Sequence, residues 1–422
     1  MTLKVLVIGG GGREHALCWA LRRSPRVSHV VCAPGNAGIA QLAECLPVLQ
    51  DSVPDMLRVV ESEAPDLVVI GPEVPLAAGI VDALTALGIR TFGPTQAAAR
   101  LESSKAFSKD FLQRHGIPTA RYAVVYTAEE ARTALAGFSL PVVVKADGLA
   151  AGKGVVIAES AAEAAQAATD LLSFGGSVVL EEFLQGEELS FFALCDGEHA
   201  TAIAAAQDHK RIGEGDTGPN TGGMGAYSTD ALLPDDLRVW LLQHVAQPTV
   251  DGMRSEGCPF RGILFCGIML CADGPKVLEF NTRWGDPETE AILLRMETDL
   301  MDLIDASIDG HAGDLKVVMQ AGASVCVIAA SAGYPASAEK GVTIHGLDET
   351  LPGGVQVFHA GTALAADGSV VTAGGRVLAV TAVADNLRRA LGKAYEALAG
   401  LSFRGMQFRR DIAHRALSKE HR

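Results

Sequence analysis

Apolar runs alternate with helically spaced apolar positions over the first hundred residues. Residues 5–8 form a continuous apolar run, and residues 13–23 carry Ala16, Leu17, Ala20 and Leu21 on one helical face. Residues 29–32 and 67–70 are further short apolar runs, each closed by Pro or Gly. Buried strands separated by helices predict an α/β fold with a parallel doubly wound sheet, its ligands at the carboxyl ends of the strands. A helix is expected over residues 104–115, with Phe107, Phe111 and Leu112 on one side and Gly116 and Pro118 ending it. Residues 119–186 then read as a small α/β unit, with strands at 142–145, 155–157 and 178–180 around a glycine-rich loop and an Ala-rich helix. Residues 187–325 begin strand-rich and predict a long helix after Pro287 that buries Ile292, Met296, Leu300 and Leu303. Residues 326–422 hold short strands between Gly-rich turns, followed by a helix over 385–398. No internal repeat or long low-complexity linker separates these four blocks, so they are expected to pack as one body.

The length of 422 residues suggests two to four domains. An apolar fraction of 48% with 20% charged residues describes a globular α/β protein. A net charge of −15 argues against broad binding to nucleic acid or anionic membranes. Phosphates can still be held where backbone N–H groups and a few cations are concentrated. The eight cysteines are scattered without a CxxC pair, which reads as reduced, buried thiols. The apolar run at the start is too short for a signal peptide, and none approaches the roughly 18 residues of a membrane helix, so a cytosolic protein is expected.

Gly9 to Gly12 follow a strand and open a helix. Glycines let a backbone approach an anion closely, and a helix start offers unpaired N–H groups. A dinucleotide fingerprint fails here, because Glu14 stands at its last glycine position and the second strand ends Cys32-Ala33-Pro34 without an acid for a ribose diol. The turn therefore reads as a phosphate site without NAD, the alternative being a tight turn that binds nothing. By the switch-point rule, the loops holding Asn36 and Glu73 should line the same crevice and could meet sugar hydroxyls or an amine.

Lys145 closes an otherwise apolar strand and is followed by a loop containing Gly148, Gly152 and Gly154. A lysine in a buried strand needs an anion, and the loop could fold over that anion as a lid. Lys105 is a second candidate cation, unless it shares a solvated helix face with Lys109. Glu181, Glu182, Phe183, Leu184 and Glu188 lie at a strand end, where a solvated turn and a nucleotide edge remain alternatives. Glu279 and Asn281 alternate with Leu278 and Phe280 and so share one strand face, with the apolar pair toward the core. Two oxygen ligands without His or Cys suit a hard cation such as Mg2+. Asp286 is expected to cap the helix that starts at Pro287, and Arg283 could clamp a phosphoryl group or carboxylate.

The segments LESSKAFSKDFL (101–112), VVVKADGLAAGKGVVI (142–157), EEFLQGEELSF (181–191), AQDHKRIGEGDTGPNTGGMGAYS (206–228) and EFNTRWGDPETE (279–290) resemble the glycinamide ribonucleotide synthetase family of ATP-grasp ligases. The likeness runs from GGGGREHAL (9–17) and PGNAG (34–38) to HAGT (359–362) and GGRVLAV (374–380), covering essentially the whole chain. The resemblance implies a Rossmann-like phosphoribosylamine-binding domain over 1–102, a linker helix and lid over 103–186, an ATP-grasp core with the metal site over 187–325, and an α+β domain over 326–422. It implies glycine and 5-phosphoribosylamine as substrates, ATP with Mg2+ or Mn2+, and no nucleic-acid or membrane partner. A monomer is expected, with transient contact to the enzyme that makes phosphoribosylamine.

Position by position, Lys105 and Lys145 resemble phosphate-binding lysines and Gly148–Gly154 the lid. Glu181, Glu182, Phe183 and Leu184 resemble the adenine edge, Glu188 the ribose-binding acid, Glu279 and Asn281 the metal ligands, and Arg283 the transition-state cation. Asp208, Lys210, Asn220, Thr221 and Gly222 would frame the acceptor and γ-phosphate, while Gly10, Gly11, Gly12, Arg13, Asn36 and Glu73 would hold phosphoribosylamine. Ser103, Thr229, Trp284 and Ala413 depart from the usual pattern, Ala413 standing where Gly often follows Arg-Asp-Ile. The alternative is another ATP-grasp ligase or carboxylase with a different acceptor.

Overall fold

The computed structural model describes residues 2–149 and 154–419. Gly152 lies outside the described residues. The first hundred residues build a five-stranded parallel sheet in the spatial order Glu44–Cys45, Val27–Pro34, Leu3–Gly9, Leu67–Ile70, Thr91–Phe92. The strand order reverses beside Leu3–Gly9, so the loops after three adjacent strands meet at one end. Gly35 donates its N–H to the Gly9 carbonyl and Gly71 to the Ile8 carbonyl, both at 3.0 Å. A Cβ on Gly10 would stand 2.5 Å from the Gly35 carbonyl oxygen, which is why this turn needs glycine.

Residues after the helix Lys105–Arg114 form a four-stranded antiparallel sheet, Tyr122–Val125, Val178–Glu182, Val142–Ala146, Val155–Ala158 in spatial order. Two helices cover it, Ala128–Leu135 and Ala161–Leu172, each begun by a side chain (Thr127, Ser160) that accepts a backbone N–H. The unit has its own core of Val, Leu and Ala side chains.

The third sheet has eight antiparallel strands, in the order Gly274–Asn281, Arg261–Cys271, Glu187–Asp196, Ala200–Asp208, Gly225–Thr229, Ala323–Ala330, Arg376–Ala384, Val355–His359. It runs without a break into the C-terminal part of the chain. One face packs Phe192, Ala204, Ala206 and Phe265 against Trp284, Ile292 and the first parallel sheet. The other packs Phe191, Ala193, Leu264 and Cys266 against Phe111, Val245 and Met253.

Two sequence expectations change here. The long helix after Pro287 is two helices, Glu288–Arg295 and Leu300–Asp309, because the chain turns extended at Met296 and Asp299 caps a new start by accepting the Met301 N–H. Asp286 does not cap the first of them. The cap position is Pro287, and the Asp286 carboxylate pairs instead with Arg376 at 3.2 Å.

Candidate active site

Cross-strand register gathers the site on one face of the large sheet. Glu279 lies opposite Gly267, Gly267 opposite Ser190, and Ser190 opposite Ala206, while Asn281 lies opposite Phe265. Directly opposed residues share a face, so Glu279, Asn281 and Ser190 project together. Strict alternation does not hold along Gly274–Asn281. A bulge at Leu278 puts Val277 and Phe280 into the core and leaves Leu278 half-buried.

Around Glu279 the cations converge. Burial pushes its carboxyl up, but Lys210, Lys145, Lys105 and Arg283 together hold it below its usual value. The oxygens of Glu279 and Asn281 on one face fit a hard divalent ion that takes its remaining ligands from phosphates and water, and the cations beside them suit those phosphates. Among the described residues, no group of three or more His, Cys, Asp or Glu side chains could hold a metal by itself. Arg283 is fixed from several sides: it pairs with Glu73 at 3.2 Å and Glu102 at 2.8 Å, and it donates to Asn281 Oδ1 at 3.2 Å.

Lys105 Nζ donates to the Gly148 carbonyl at 2.9 Å, tying the helix start to the glycine loop. Lys109 is not on a solvated face. Its ammonium and that of Lys145 share the Glu181 carboxylate, at 2.8 and 2.9 Å, and all three side chains are buried or nearly so. Asp147 binds the same region together, accepting from Ser104 Oγ, the Ala106 N–H and Ser177 Oγ. Sequence reasoning missed Lys109, Glu102 and Asp147. The available signal was that Lys109 stands one helical turn before buried Leu112. Glu182 follows Glu181 as an exposed strand end, with Phe183 half-buried and Leu184 buried. Gly154 is buried where the loop re-enters the sheet.

Lys210 Nζ is paired with Glu188 Oε1, and Glu188, Asp208 and Glu279 together raise its ammonium well above the usual value against the pull of burial. Thr221 returns to this lysine, donating its N–H and Oγ1 to the Lys210 carbonyl at 2.7 and 2.8 Å. Gly222 is bracketed by the Tyr334 hydroxyl and by Arg376. Asn220 is exposed, on the second strand of a two-stranded hairpin, opposite Arg211. The Arg409–Arg415 segment clamps that hairpin through Asp216, by Arg409 at 2.9 Å and Arg415 at 2.7 Å. Ala413 has φ +64°, the left-handed region that favours glycine, and its N–H donates to His209 Nε2.

At the glycine-rich turn the protein supplies its own anions. The Gly11 N–H donates to Glu14 Oε2 at 2.6 Å, Asp286 faces the Arg13 N–H, and a Cβ on Gly12 would stand 2.4 Å from Glu290 Oε1. Arg13 and Arg376 partly balance these carboxyls, pairing with Glu14 and Asp286, and burial pushes the Glu290 carboxyl well above its usual value. Arg13 is buried, paired with Glu14 at 2.5 Å, and donates to the Trp284 carbonyl. Asn36 uses its whole amide on the fold, donating to the Gly10 and His359 carbonyls and accepting from the Gly38 and Ile39 N–H groups. It positions loops and has no group left for a sugar. Glu73, by contrast, reaches the site through Arg283.

Three family models match the chain: phosphoribosylglycinamide synthetase N domain over residues 3–102, its ATP-grasp (A) domain over 103–289, and its C domain over 324–415. A phosphoribosylamine–glycine ligase of Xylella fastidiosa is 49% identical over 428 residues, covering 99% of this chain and 98% of that one. The Salmonella typhi protein of the same name is 47% identical over 433 residues, covering 99% and 100%. Among solved structures, a phosphoribosylamine–glycine ligase from Thermotoga maritima superposes with a TM-score of 0.84 at 37% identity, covering 97% of this chain and all of that one. A biotin carboxylase from Campylobacter jejuni shares the fold at a TM-score of 0.75 and 16% identity, covering 97% and 94%. With three matching domains in order and relatives aligned from end to end, the chain belongs to the phosphoribosylglycinamide synthetase family of ATP-grasp enzymes.

Proposed function

We propose that this protein ligates glycine to 5-phosphoribosylamine at the expense of ATP, giving glycinamide ribonucleotide, ADP and phosphate, a step of de novo purine biosynthesis. The observation that carries the reading is the convergence of Lys105, Lys145, Lys210 and Arg283 on the Glu279 carboxyl. Lys145, Lys210 and Arg283 are each oriented by a carboxylate of their own, Glu181, Glu188 and Glu73 with Glu102, so the cluster offers a triphosphate and a substrate carboxylate a set of cations already held in place.

Lys105 and Lys145 neutralise phosphate charge, and the Glu181–Leu184 segment borders the adenine. Glu188 takes the ribose, its carboxylate oriented by Lys210. Glu279 and Asn281 would hold Mg2+, with Mn2+ as an alternative. A divalent ion bound by these two oxygens would supply charge neutralisation for the phosphates. Arg283 fixes the glycine carboxylate in line with the γ-phosphate, which it attacks to form glycyl phosphate. Orientation of this kind lowers a barrier by roughly 7–11 kcal/mol. The Gly10–Arg13 turn and Glu73 receive the ribosylamine, whose nitrogen then displaces phosphate. The lid, including Gly148, Gly152 and Gly154, keeps water from the acyl phosphate. The protein is expected to act as a monomer in the cytosol and to receive phosphoribosylamine by transient contact with the enzyme that makes it. Among the described residues, no helix is long and apolar enough to cross a membrane.

The test is ADP release with ATP, glycine and freshly generated phosphoribosylamine, omitting each in turn. Dependence on all three is expected. Release driven by bicarbonate and indifferent to phosphoribosylamine would contradict the reading.

A further inference from the structure

An amine that attacks an acyl phosphate must lose a proton, and one carboxyl on the sheet face is free to take it. Ser190 and Ala206 are directly opposed, so Glu188 and Asp208 stand one pleat further along on that same face, shared with Glu279. Their neighbours are committed. Glu188 is paired with Lys210, Glu288 Oε1 accepts from Ser190 Oγ at 3.0 Å, and Asp286 holds Arg376. Both Glu290 oxygens are sealed beneath the Gly12 turn. Asp208 is 7% exposed, and its carboxyl accepts no hydrogen bond from any described group.

We propose that Asp208 is the general base of the ligation step, accepting the proton of the acceptor amine. The proposal rests on the ligase reading above and adds a role to it. The amine lone pair attacks the carbonyl carbon of glycyl phosphate and forms the C–N bond, while a nitrogen proton passes to the Asp208 carboxylate. The C–O bond to phosphate breaks with its electron pair on the departing phosphate, which then takes the proton from Asp208 and restores the carboxylate. The charged groups facing Asp208 are Lys210, Glu288, Glu188 and Arg415. Burial pushes its carboxyl up to about 8, with Glu288 and Glu188 adding to the rise and Lys210 and Arg415 opposing it. A base works best when it titrates near the working pH.

Hydroxylamine separates this role from a role in glycine activation, because it is a weakly basic nucleophile that sheds its proton without help. Asp208→Asn should lose far less of its ATP- and glycine-dependent glycine hydroxamate formation than of its ligation. Its ligation to phosphoribosylamine should fall about 10²–10⁴-fold. Wild-type ligation should rise with pH through a limb near 8 that hydroxamate formation lacks, and this comparison stands even if the variant does not fold. Near-normal ligation by Asp208→Asn would overturn the proposal. So would an equal loss of hydroxamate formation, which would assign Asp208 to glycine binding, or a wild-type profile without the limb. If wild type makes neither product from glycine, the ligase reading itself fails, and the proposal with it.

Discussion

Arg283 and Glu73 lie 210 positions apart in the chain and form an ion pair at 3.2 Å. The pair joins the end of strand Gly274–Asn281 to the third loop of the parallel sheet, so the nucleotide side and the acceptor side share one contact. Burial pushes the Glu73 carboxyl up, but Arg283 and Arg13 together hold it below its usual value, so it is charged at neutral pH.

Glu73→Gln removes that charge while keeping the shape. Arg283 then keeps Glu102 but loses its tie to the acceptor loops. We expect kcat/KM for phosphoribosylamine to fall by about 1.5–3 kcal/mol, roughly 10- to 150-fold, with the KM for ATP nearly unchanged. Steady-state kinetics on each substrate checks this, and a loss confined to ATP would contradict it.

Lys109→Met leaves the buried Glu181 with one cation where it had two. Because Lys145 still compensates Glu181, the loss of this charged contact should cost about 1.5–3 kcal/mol of stability, read from denaturant unfolding. The KM for ATP should also rise, because Glu181 positions Lys145. Unchanged unfolding and ATP kinetics would place Lys109 outside this network.

Much of this arrangement is legible in the sequence. The i, i+2 spacing of Glu279 and Asn281 survives because the bulge falls before them, at Leu278. Lys145 could be singled out because a lysine in an apolar strand has few explanations. Lys109 could not, since helical spacing tells which residues share a face and not what packs on it, and its partner Glu181 arrives from a strand more than 60 positions on. The anions at the glycine-rich turn were hidden for the same reason. Glu14 is visible beside the turn, but Asp286 and Glu290 reach it only through the packing of helix Glu288–Arg295 against the first helix. Asn36 looked like a loop residue free for a ligand, and only the folded loops show its amide fully used.

Glu279→Ala should raise the magnesium concentration needed for half-maximal activity at least about tenfold. Metal titration at saturating ATP and glycine measures it. An unchanged titration would remove Glu279 from the ligand set.

His15 and His359 are buried against each other, the His359 N–H donating to His15 Nδ1 at 2.7 Å. Burial lowers His359 from 6.5 to about 4, and burial with the neighbouring His359 lowers His15 to about 3. Between those values and 6.5 the unfolded chain binds more protons than the folded one, so stability should fall as pH drops from about 6.5 toward 4. Unfolding midpoints across that range should show the slope, and His359→Phe should flatten part of it. An identical slope in the variant would mean that other groups cause it.

The most direct test of the account follows the oxygen atoms of glycine. If the carboxylate attacks the γ-phosphate, glycine labelled with 18O in its carboxyl group must pass one labelled oxygen to each inorganic phosphate released during ligation. Phosphate carrying that single label is the predicted result. Unlabelled phosphate, formed at the same rate as glycinamide ribonucleotide, would mean that no acyl phosphate forms and that the cations around Glu279 serve another chemistry.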